Sequence, residues 1–405
     1  MKKVNVIGLG YIGLPTALML ASHGVEVVGT DYNKTLLETL KGGRTTFEEK
    51  GLDELFHQAL RAGIRFSDEY ETCGFYIVAV PTPYDPVTKQ IDATYVVSAV
   101  KTVLEHCEED AIVVVESTVS PGTMDRFVCP IVAAQGKRVH LVHAPERIIP
   151  GNMVYELLHN SRTIGADEPA VAEEVGAVYS TFCQGEIVLT DIRTAEMTKV
   201  VENTFRDINI AFANELCKIC RRDNMDVNEI IRIANKHPRV NILSPGPGVG
   251  GHCISVDPWF LVGDYPEEAK LIHQARLVND SMPAFVVERI EAIAAEKGIT
   301  DFSRVGLYGL TYKENVDDTR ESPTLQLLEY VQKSGKKMPF CVYDPYVTRD
   351  LVEGQVHDFD VFLNAVDFLV ILVGHQEIRT SLEKLSGKTV LDTRRVCEDD
   401  SVYRL

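Results

Sequence analysis

Val4-Asn5-Val6-Ile7-Gly8-Leu9-Gly10-Tyr11-Ile12-Gly13-Leu14-Pro15 decides how the first half of the chain is read. A short apolar run ends on Gly8-x-Gly10-x-x-Gly13, and a helical pattern opens behind it. In such a strand-turn-helix the first glycine allows the tight turn. The second lets backbone approach a pyrophosphate, and the third packs helix against strand. The helix N-terminus then turns its partial positive charge toward the phosphates. Asp31 closes the second apolar run, eighteen residues after Gly13. A carboxylate there accepts hydrogen bonds from a ribose 2′-hydroxyl and repels a 2′-phosphate, which favours NAD over NADP. Glycine-rich turns are common, so the strand-turn-helix context and Asp31 carry the weight.

Outward from this turn, residues 4–8, 25–31, 75–81, 111–118 and 140–145 read as buried strands. Their near-continuous apolar character suits a parallel sheet covered on both faces. With helical stretches between them they imply an N-terminal Rossmann domain over residues 1–185. From Asp191 to about Asp223 the pattern becomes one long helical period without Gly or Pro. Shorter helices follow, then the loop Ser244-Pro245-Gly246-Pro247-Gly248-Val249-Gly250-Gly251, then a helical stretch over about 267–297. This all-helical middle spans 186–298. Strand signals return at 305–309, 340–344, 365–373 and 389–391, so a C-terminal Rossmann-like α/β domain is expected over 299–405.

At 405 residues, with 45% hydrophobic and 25% charged residues, the chain has the composition of a multidomain globular protein. Its net charge of -18 argues against a nucleic-acid partner, which needs clustered Lys and Arg. It does not argue against a small pyrophosphate held by a helix N-terminus and a few placed cations. No apolar run is long enough to span a bilayer, so no membrane partner is expected. Met1-Lys2-Lys3 leads straight into the first strand and reads as no signal peptide. Nine cysteines, scattered and odd in number, suit a reducing cytoplasm. Cys217-x-x-Cys220 lacks a second Cys/His pair at ligand spacing, so helix packing is expected there and no metal site.

Four segments can carry chemistry. Glu116-Ser117-Thr118-Val119-Ser120-Pro121-Gly122 follows a buried strand and puts Thr118 at the carboxyl edge, where ligands of such sheets bind. His143-Ala144-Pro145-Glu146-Arg147 follows the next strand in the same way. Both are also ordinary loop chemistry. On the long helix, Lys199, Asn203 and Arg206 fall at i, i+4 and i+7 and share a face. Such a stripe is either solvated or a site. Val200, Val201, Phe205, Ile208 and Phe212 are expected to bury much of the rest of the helix. In Gly250-Gly251-His252-Cys253-Ile254-Ser255-Val256-Asp257-Pro258-Trp259 a cysteine follows a glycine-rich turn with a carboxylate four residues on. A thiol so placed can serve as a nucleophile, although most cysteines only pack.

At this loop the sequence resembles the UDP-glucose/UDP-mannosamine dehydrogenase family. The markers are GLGYIGLP (8–15), VPTP (80–83), ESTVSPGT (116–123), APERIIPG (144–151), EMTKVVENTFRDINIAFANEL (196–216), GPGVGGHCISVDPWF (246–260) and YKENVDDTRESP (312–323). They cover essentially the whole chain, in order. The resemblance implies a homodimer formed through the middle helices and a C-terminal domain that binds the UDP part of a UDP-sugar. The glucose branch usually has a lysine just before the loop aspartate, where this chain has Val256. With His252 and Trp259 the loop looks like the branch that oxidises UDP-N-acetylhexosamines. Residues 145–165 most resemble the UDP-N-acetyl-mannosamine dehydrogenases, with UDP-N-acetylglucosamine and UDP-glucose 6-dehydrogenases as the alternatives.

The family chemistry implied is a four-electron oxidation of the C6 alcohol with two NAD per sugar, through an aldehyde, a thiohemiacetal and a thioester on Cys253. Covalent capture keeps a reactive aldehyde from escaping between two oxidations. Lys199 and Asn203 would stabilise the oxyanion at C6, a role typically worth roughly 3–4 kcal/mol per donor. Asp257 and Thr118 would position water, and Glu146 would be the base for thioester hydrolysis. The family pattern sets Arg147, Ile148, Arg206 and Gly250 around the UDP-sugar, with Lys199 and Asn203. Tyr312, Lys313 and His237 belong to the same set, with Arg239 reaching across the dimer and Arg394 closing over the nucleotide. Tyr11, Ile12, Asp31, Thr82, Thr118 and Arg320 would contact NAD beside Gly8, Gly10 and Gly13. Two rivals remain: a two-electron dehydrogenase of the 3-hydroxyacid type, which has no use for Cys253, and a catalytically dead nucleotide sensor on the same fold.

Overall fold

The computed structural model describes residues 3–399 and 401–405. The chain divides into two compact units, Met1–Glu202 with Trp259–Asp264, and Asn203–Pro258 with Tyr265–Leu405.

In the first unit, eight strands form one sheet in the order β3-β2-β1-β4-β5-β6-β7-β8. They are β1 (Val4–Ile7), β2 (Val27–Thr30), β3 (Arg65–Ser67), β4 (Phe75–Val78), β5 (Ala111–Val115), β6 (Val139–His143), β7 (Arg162–Ala166) and β8 (Ile187–Thr190). The central strands β1, β2, β4 and β5 are buried along their whole length, as expected of a sheet covered on both faces. Helix α1 (Gly13–Ser22) is buried from Gly13 to Ala21 and packs its leucines into the same core. The order reverses between β1 and β4, which sets the carboxyl ends of these strands at the usual ligand edge of a doubly wound sheet.

The sheet departs from the sequence reading in strands β3, β7 and β8, none of which the apolar runs marked, and in the direction of β7. Its last strand, β8, lies beyond residue 185. Strand β7 runs antiparallel to β6, with His143 opposite Gly165, against the expected all-parallel sheet; apolar patterning carries no strand direction. Helix α2 (Pro169–Tyr179) then returns the chain so that β8 pairs parallel with β7. Helix α3 (Ile192–Arg222) follows directly, and Gly165 leaves room for it: a Cβ there would stand 2.6 Å from the Ala195 Cβ.

In the second unit, six strands pair parallel throughout in the order β11-β10-β9-β12-β13-β14. They are β9 (Val305–Tyr308), β10 (Cys341–Tyr343), β11 (Gln355–Val356), β12 (Phe368–Ile371), β13 (Thr389–Asp392) and β14 (Tyr403–Arg404). One core packs Val305, Leu307 and Val370 with helical residues that include Cys217, Cys220, Met282, Val286 and Ile290. Cys217 and Cys220 are thus packing residues of α3. A second core is aromatic, around Tyr308, Tyr343 and Phe362. Helix α4 (Asp257–Asp264) opens at the loop carboxylate, and from Trp259 on it belongs to the first unit. The stretch read as one helix over 267–297 is two, α5 (Lys270–Asp280) and α6 (Met282–Lys297). They part at Ser281, where Pro283 takes a first-turn position that needs no N–H donor. Among the described residues no helix is long and apolar enough to cross a membrane.

Candidate active site

The glycine turn after β1 meets the demands of a dinucleotide. Gly8 has φ +88°, and a Cβ there would press within 2.4 Å of the Ala79 carbonyl oxygen. A Cβ on Gly13 would fall 1.9 Å from the Gly8 oxygen, so only glycine lets α1 start this close to β1. At Gly10 a Cβ would meet no protein atom within 4 Å, which leaves its backbone open to a pyrophosphate. Ile12 caps α1 and has no polar side chain to occupy the first-turn N–H groups. Asp31 holds the turn from the next strand: Oδ2 accepts from Leu9 N at 2.8 Å and Oδ1 from Asn33 N at 2.8 Å. A carboxylate has lone pairs left for a ribose diol. The Tyr11 ring lies 4.4 Å from Phe47. Thr82 Oγ1 donates to the Thr118 carbonyl at 2.7 Å, joining two loops at the carboxyl ends of β4 and β5. These residues fit NAD, which needs a backbone cradle and an acid at the ribose.

Glu146 and Arg147 follow β6. The Arg147 N–H donates to Glu146 Oε1 at 2.6 Å, while the Arg147 guanidinium holds Glu202, the Ser161 carbonyl and Thr163. Ile148 is buried behind them. On α3, Lys199 and Asn203 are 6% and 7% exposed, so two polar side chains one turn apart are buried. Arg206 is exposed, and the next buried polar group is Asp207, which pairs with the buried Arg276 at 2.5 Å. Val201, Phe205 and Phe212, expected to be buried, are instead 46%, 66% and 51% exposed. The helical period explains this: Val201 sits about 200° round the helix from Lys199, on the far side.

The cysteine loop is shaped by Gly250 and Gly251. A Cβ on Gly250 would lie 2.5 Å from the Glu321 carbonyl oxygen, and Gly251, at φ +84°, stands against the Tyr312 ring. Gly251 N also donates to the Arg320 carbonyl at 3.0 Å. Cys253 is exposed, and its carbonyl accepts from Asp257 N at 2.9 Å, closing the turn that starts α4. Asp257 is buried, and Asn203 Nδ2 donates to its Oδ2 at 2.6 Å.

Tyr312 and Lys313 follow β9 and are half-buried; Tyr312 N donates to the Asp318 carbonyl at 3.0 Å. The Arg320 guanidinium pairs with the Asp318 carboxylate at 2.6 Å. Arg394 donates from Nε to the Leu372 carbonyl at 2.9 Å. With Ser244 and Pro245 it lines a cavity of about 90 Å³. His237 and Arg239 are exposed, side by side after the helix Val227–Ala234.

Sequence reasoning passed over a buried cluster at the carboxyl edge of the first sheet. Arg162, 4% exposed, donates to Glu116 Oε1 at 2.9 Å and also pairs with Glu146 Oε2. Tyr179 OH donates to Glu116 Oε1 at 3.1 Å. These partners lie far apart in sequence, so spacing gives no signal for them.

The family profiles cover the chain in three consecutive matches. The UDP-glucose/GDP-mannose dehydrogenase family matches as its NAD binding domain over residues 2–183, its central domain over 193–281 and its UDP binding domain over 306–399. A UDP-N-acetyl-D-mannosamine dehydrogenase of Methanococcus maripaludis is 41% identical, the alignment covering 98% of this chain and 93% of that protein. An NDP-N-acetyl-D-galactosaminuronic acid dehydrogenase of Ralstonia nicotianae is 39% identical over 97% of this chain and 96% of its own. Among solved structures, the UDP-N-acetyl-mannosamine dehydrogenase Cap5O of S. aureus superposes with a TM-score of 0.89 at 42% identity, covering 99% of this chain and 98% of that one. The chain belongs to the UDP-glucose/GDP-mannose dehydrogenase family.

Proposed function

We propose that this enzyme oxidises the C6 alcohol of UDP-N-acetyl-D-mannosamine to the uronic acid, using two NAD per sugar and a thioester on Cys253. The observation that carries this reading is the hydrogen bond from the buried Asn203 to the buried Asp257, four residues beyond the exposed Cys253. Polar groups are buried at a cost that is recovered only where they are paired or used. Lys199 lies one helical turn before Asn203, and it too is buried.

NAD accepts a hydride in each of the two oxidations. In our reading, Lys199 and Asn203 stabilise the oxygen at C6 as it gains charge. The Cys253 sulfur attacks the aldehyde carbon, and the adduct is oxidised to the thioester without leaving the protein. Thr118 and Asp257 orient the water, and Glu146 takes its proton during hydrolysis. Gly8, Gly10, Gly13, Asp31, Tyr11, Ile12, Thr82 and Arg320 serve NAD. Arg147, Ile148, Arg206, Gly250, Tyr312, Lys313, His237, Arg239 and Arg394 serve the UDP-sugar. The expected division at 1–185, 186–298 and 299–405 separates these tasks into cofactor, central and nucleotide-binding domains, with the first boundary moved past β8 to Thr190.

The working form in this proposal is a homodimer through α3. Val201, Phe205, Phe212 and Ile219 recur at intervals of four and seven on one exposed side of the helix, a stripe that a second copy can cover. We place the enzyme in the cytoplasm, where thiols stay reduced and nucleotide sugars are made.

Val256 in place of the glucose-branch lysine favours an N-acetylated sugar, and the 41–42% identity to enzymes named for UDP-N-acetylmannosamine favours that epimer. The choice is tested by kcat/KM for UDP-N-acetylmannosamine, UDP-N-acetylglucosamine and UDP-glucose under identical conditions. Preference for the first by at least about tenfold, or 1.4 kcal/mol, is expected. Preference for either of the others would overturn the choice of sugar and keep the chemistry.

A further inference from the structure

Three ionisable side chains meet below the carboxyl edge of the first sheet. Glu116 follows β5, Glu146 lies in the loop after β6, and Arg162 opens β7. The antiparallel course of β7 makes this possible. Continuing its register with β6 sets Arg162 opposite Glu146, at the edge where a parallel strand would have presented its last residue. Arg162 Nη1 reaches Glu116 Oε1 at 2.9 Å, and Nη2 pairs with Glu146 Oε2. From α2, Tyr179 donates to Glu116 Oε1 at 3.1 Å and lays its ring 4.1 Å from the guanidinium carbon. Glu116 is 1% exposed, and its Oε2 is buried with no hydrogen-bond partner. Two carboxylates thus share one cation, and Arg162, Glu146 and Tyr179 are the charged or titratable groups that face Glu116.

We propose that Glu116 is a positioning residue for thioester hydrolysis: by competing for Arg162, its carboxylate keeps the guanidinium from being held by Glu146 alone, so that Glu146 stays available to take a proton from water. The proposal rests on the reading of Glu146 as the hydrolytic base. In that step the water oxygen bonds to the thioester carbon, its proton passes to Glu146, and the carbon–sulfur bond breaks. Cys253 leaves as thiolate, and no electrons move to NAD. With Glu116 ionised, the guanidinium field is divided between two anions. With Glu116 neutral or absent, Arg162 is matched by Glu146 alone and holds that carboxylate more tightly. Burial, only partly offset by Arg162, pushes the Glu116 carboxyl up to about 7. Hydrolysis should therefore accelerate as pH rises through neutrality.

Glu116→Gln keeps an oxygen for Arg162 and Tyr179 and removes the charge. NADH formation is followed by stopped flow from pH 6 to 9, with saturating NAD and UDP-sugar. The expected result is a burst of two NADH per active site at the wild-type rate, then a steady phase slowed roughly tenfold. The neutral-range rise should be lost, and intact-mass measurement should find the UDP-sugar acyl group on the protein. A wild-type steady phase with a wild-type pH profile would overturn the proposal. Glu146→Gln, measured in parallel, separates the two claims. If it hydrolyses normally, the base assignment fails and this proposal with it. If it stalls while Glu116→Gln does not, only the role of Glu116 fails. Should Glu116→Gln not fold, Tyr179→Phe removes one hydrogen bond to the Glu116 anion and should move the rise to higher pH; an unmoved rise counts against the proposal.

Discussion

Asn203 Nδ2 donates to Asp257 Oδ2 across 2.6 Å, tying the long helix to the residue four places beyond Cys253. Both side chains are buried, so the bond fixes the carboxylate in one orientation at little exposure to competing water. Asn203→Ala removes the donor and leaves the rest of the loop in place. The kcat should fall about 100-fold with a much smaller change in KM, since the amide lost is the one proposed to stabilise the C6 oxygen only as it gains charge. Steady-state kinetics decide this, and a change confined to KM would reduce Asn203 to a substrate-binding residue.

Two of the three glycines of the cofactor turn should separate by function. Gly13→Ala places a methyl 1.9 Å from the Gly8 oxygen and must push α1 from β1, so thermal stability should drop along with NAD binding. Gly10→Ala meets no protein atom and should fold normally. Its methyl enters the space through which a pyrophosphate approaches, so Kd for NAD should rise at least about tenfold with Tm unchanged. Calorimetry and NAD titration on both variants test this. Equal damage to stability in both would contradict it.

His143 gives a pH dependence of stability with a definite sign. It is wholly buried on β6, and burial pushes its imidazole down to about 3. A depressed folded-state pKa means its contribution is present above the unfolded value of about 6.5 and is lost as pH falls below it. Compared with His143→Gln, the wild type should lose about 2 kcal/mol more stability between pH 7.5 and pH 5. Urea unfolding of both proteins at the two pH values measures the difference. A difference of the opposite sign would show that the imidazole becomes charged inside the fold.

Phe205, 66% exposed at the centre of the apolar stripe on α3, is the residue whose change should disperse a dimer. If the proposed homodimer forms through α3, the wild type should sediment as a dimer and Phe205→Glu as a monomer at the same concentration. A charge at the core of an apolar interface leaves an unpaired buried group. A variant that remains dimeric would move the interface elsewhere.

The parts legible in the sequence were those governed by local pattern. Strands such as Ala111–Val115 announce themselves because both faces are buried, and the glycine turn because backbone geometry demands those residues. Edge strands of two or three residues, such as Gln355–Val356 and Tyr403–Arg404, carry too little pattern to read. The pattern predicts the long helix almost to the residue, yet not which side of it is buried. Apolar Val201, Phe205 and Phe212 face outward, while Lys199 and Asn203 are buried. Periodicity reports that a helix has two sides and not which one meets solvent or a partner. The Glu116–Arg162–Glu146 cluster was invisible for another reason. It depends on the direction of β7 and on partners 16 and 46 residues apart, neither of which leaves a local trace.

The most direct test of the central claim is the NADH yield when excess NAD and enzyme consume a limiting, known amount of UDP-N-acetylmannosamine. Two NADH per sugar, with a carboxylate as the product, is the result expected if Cys253 carries the aldehyde through to the thioester. One NADH per sugar, with the aldehyde released, would contradict the covalent route and return the chain to the two-electron dehydrogenases.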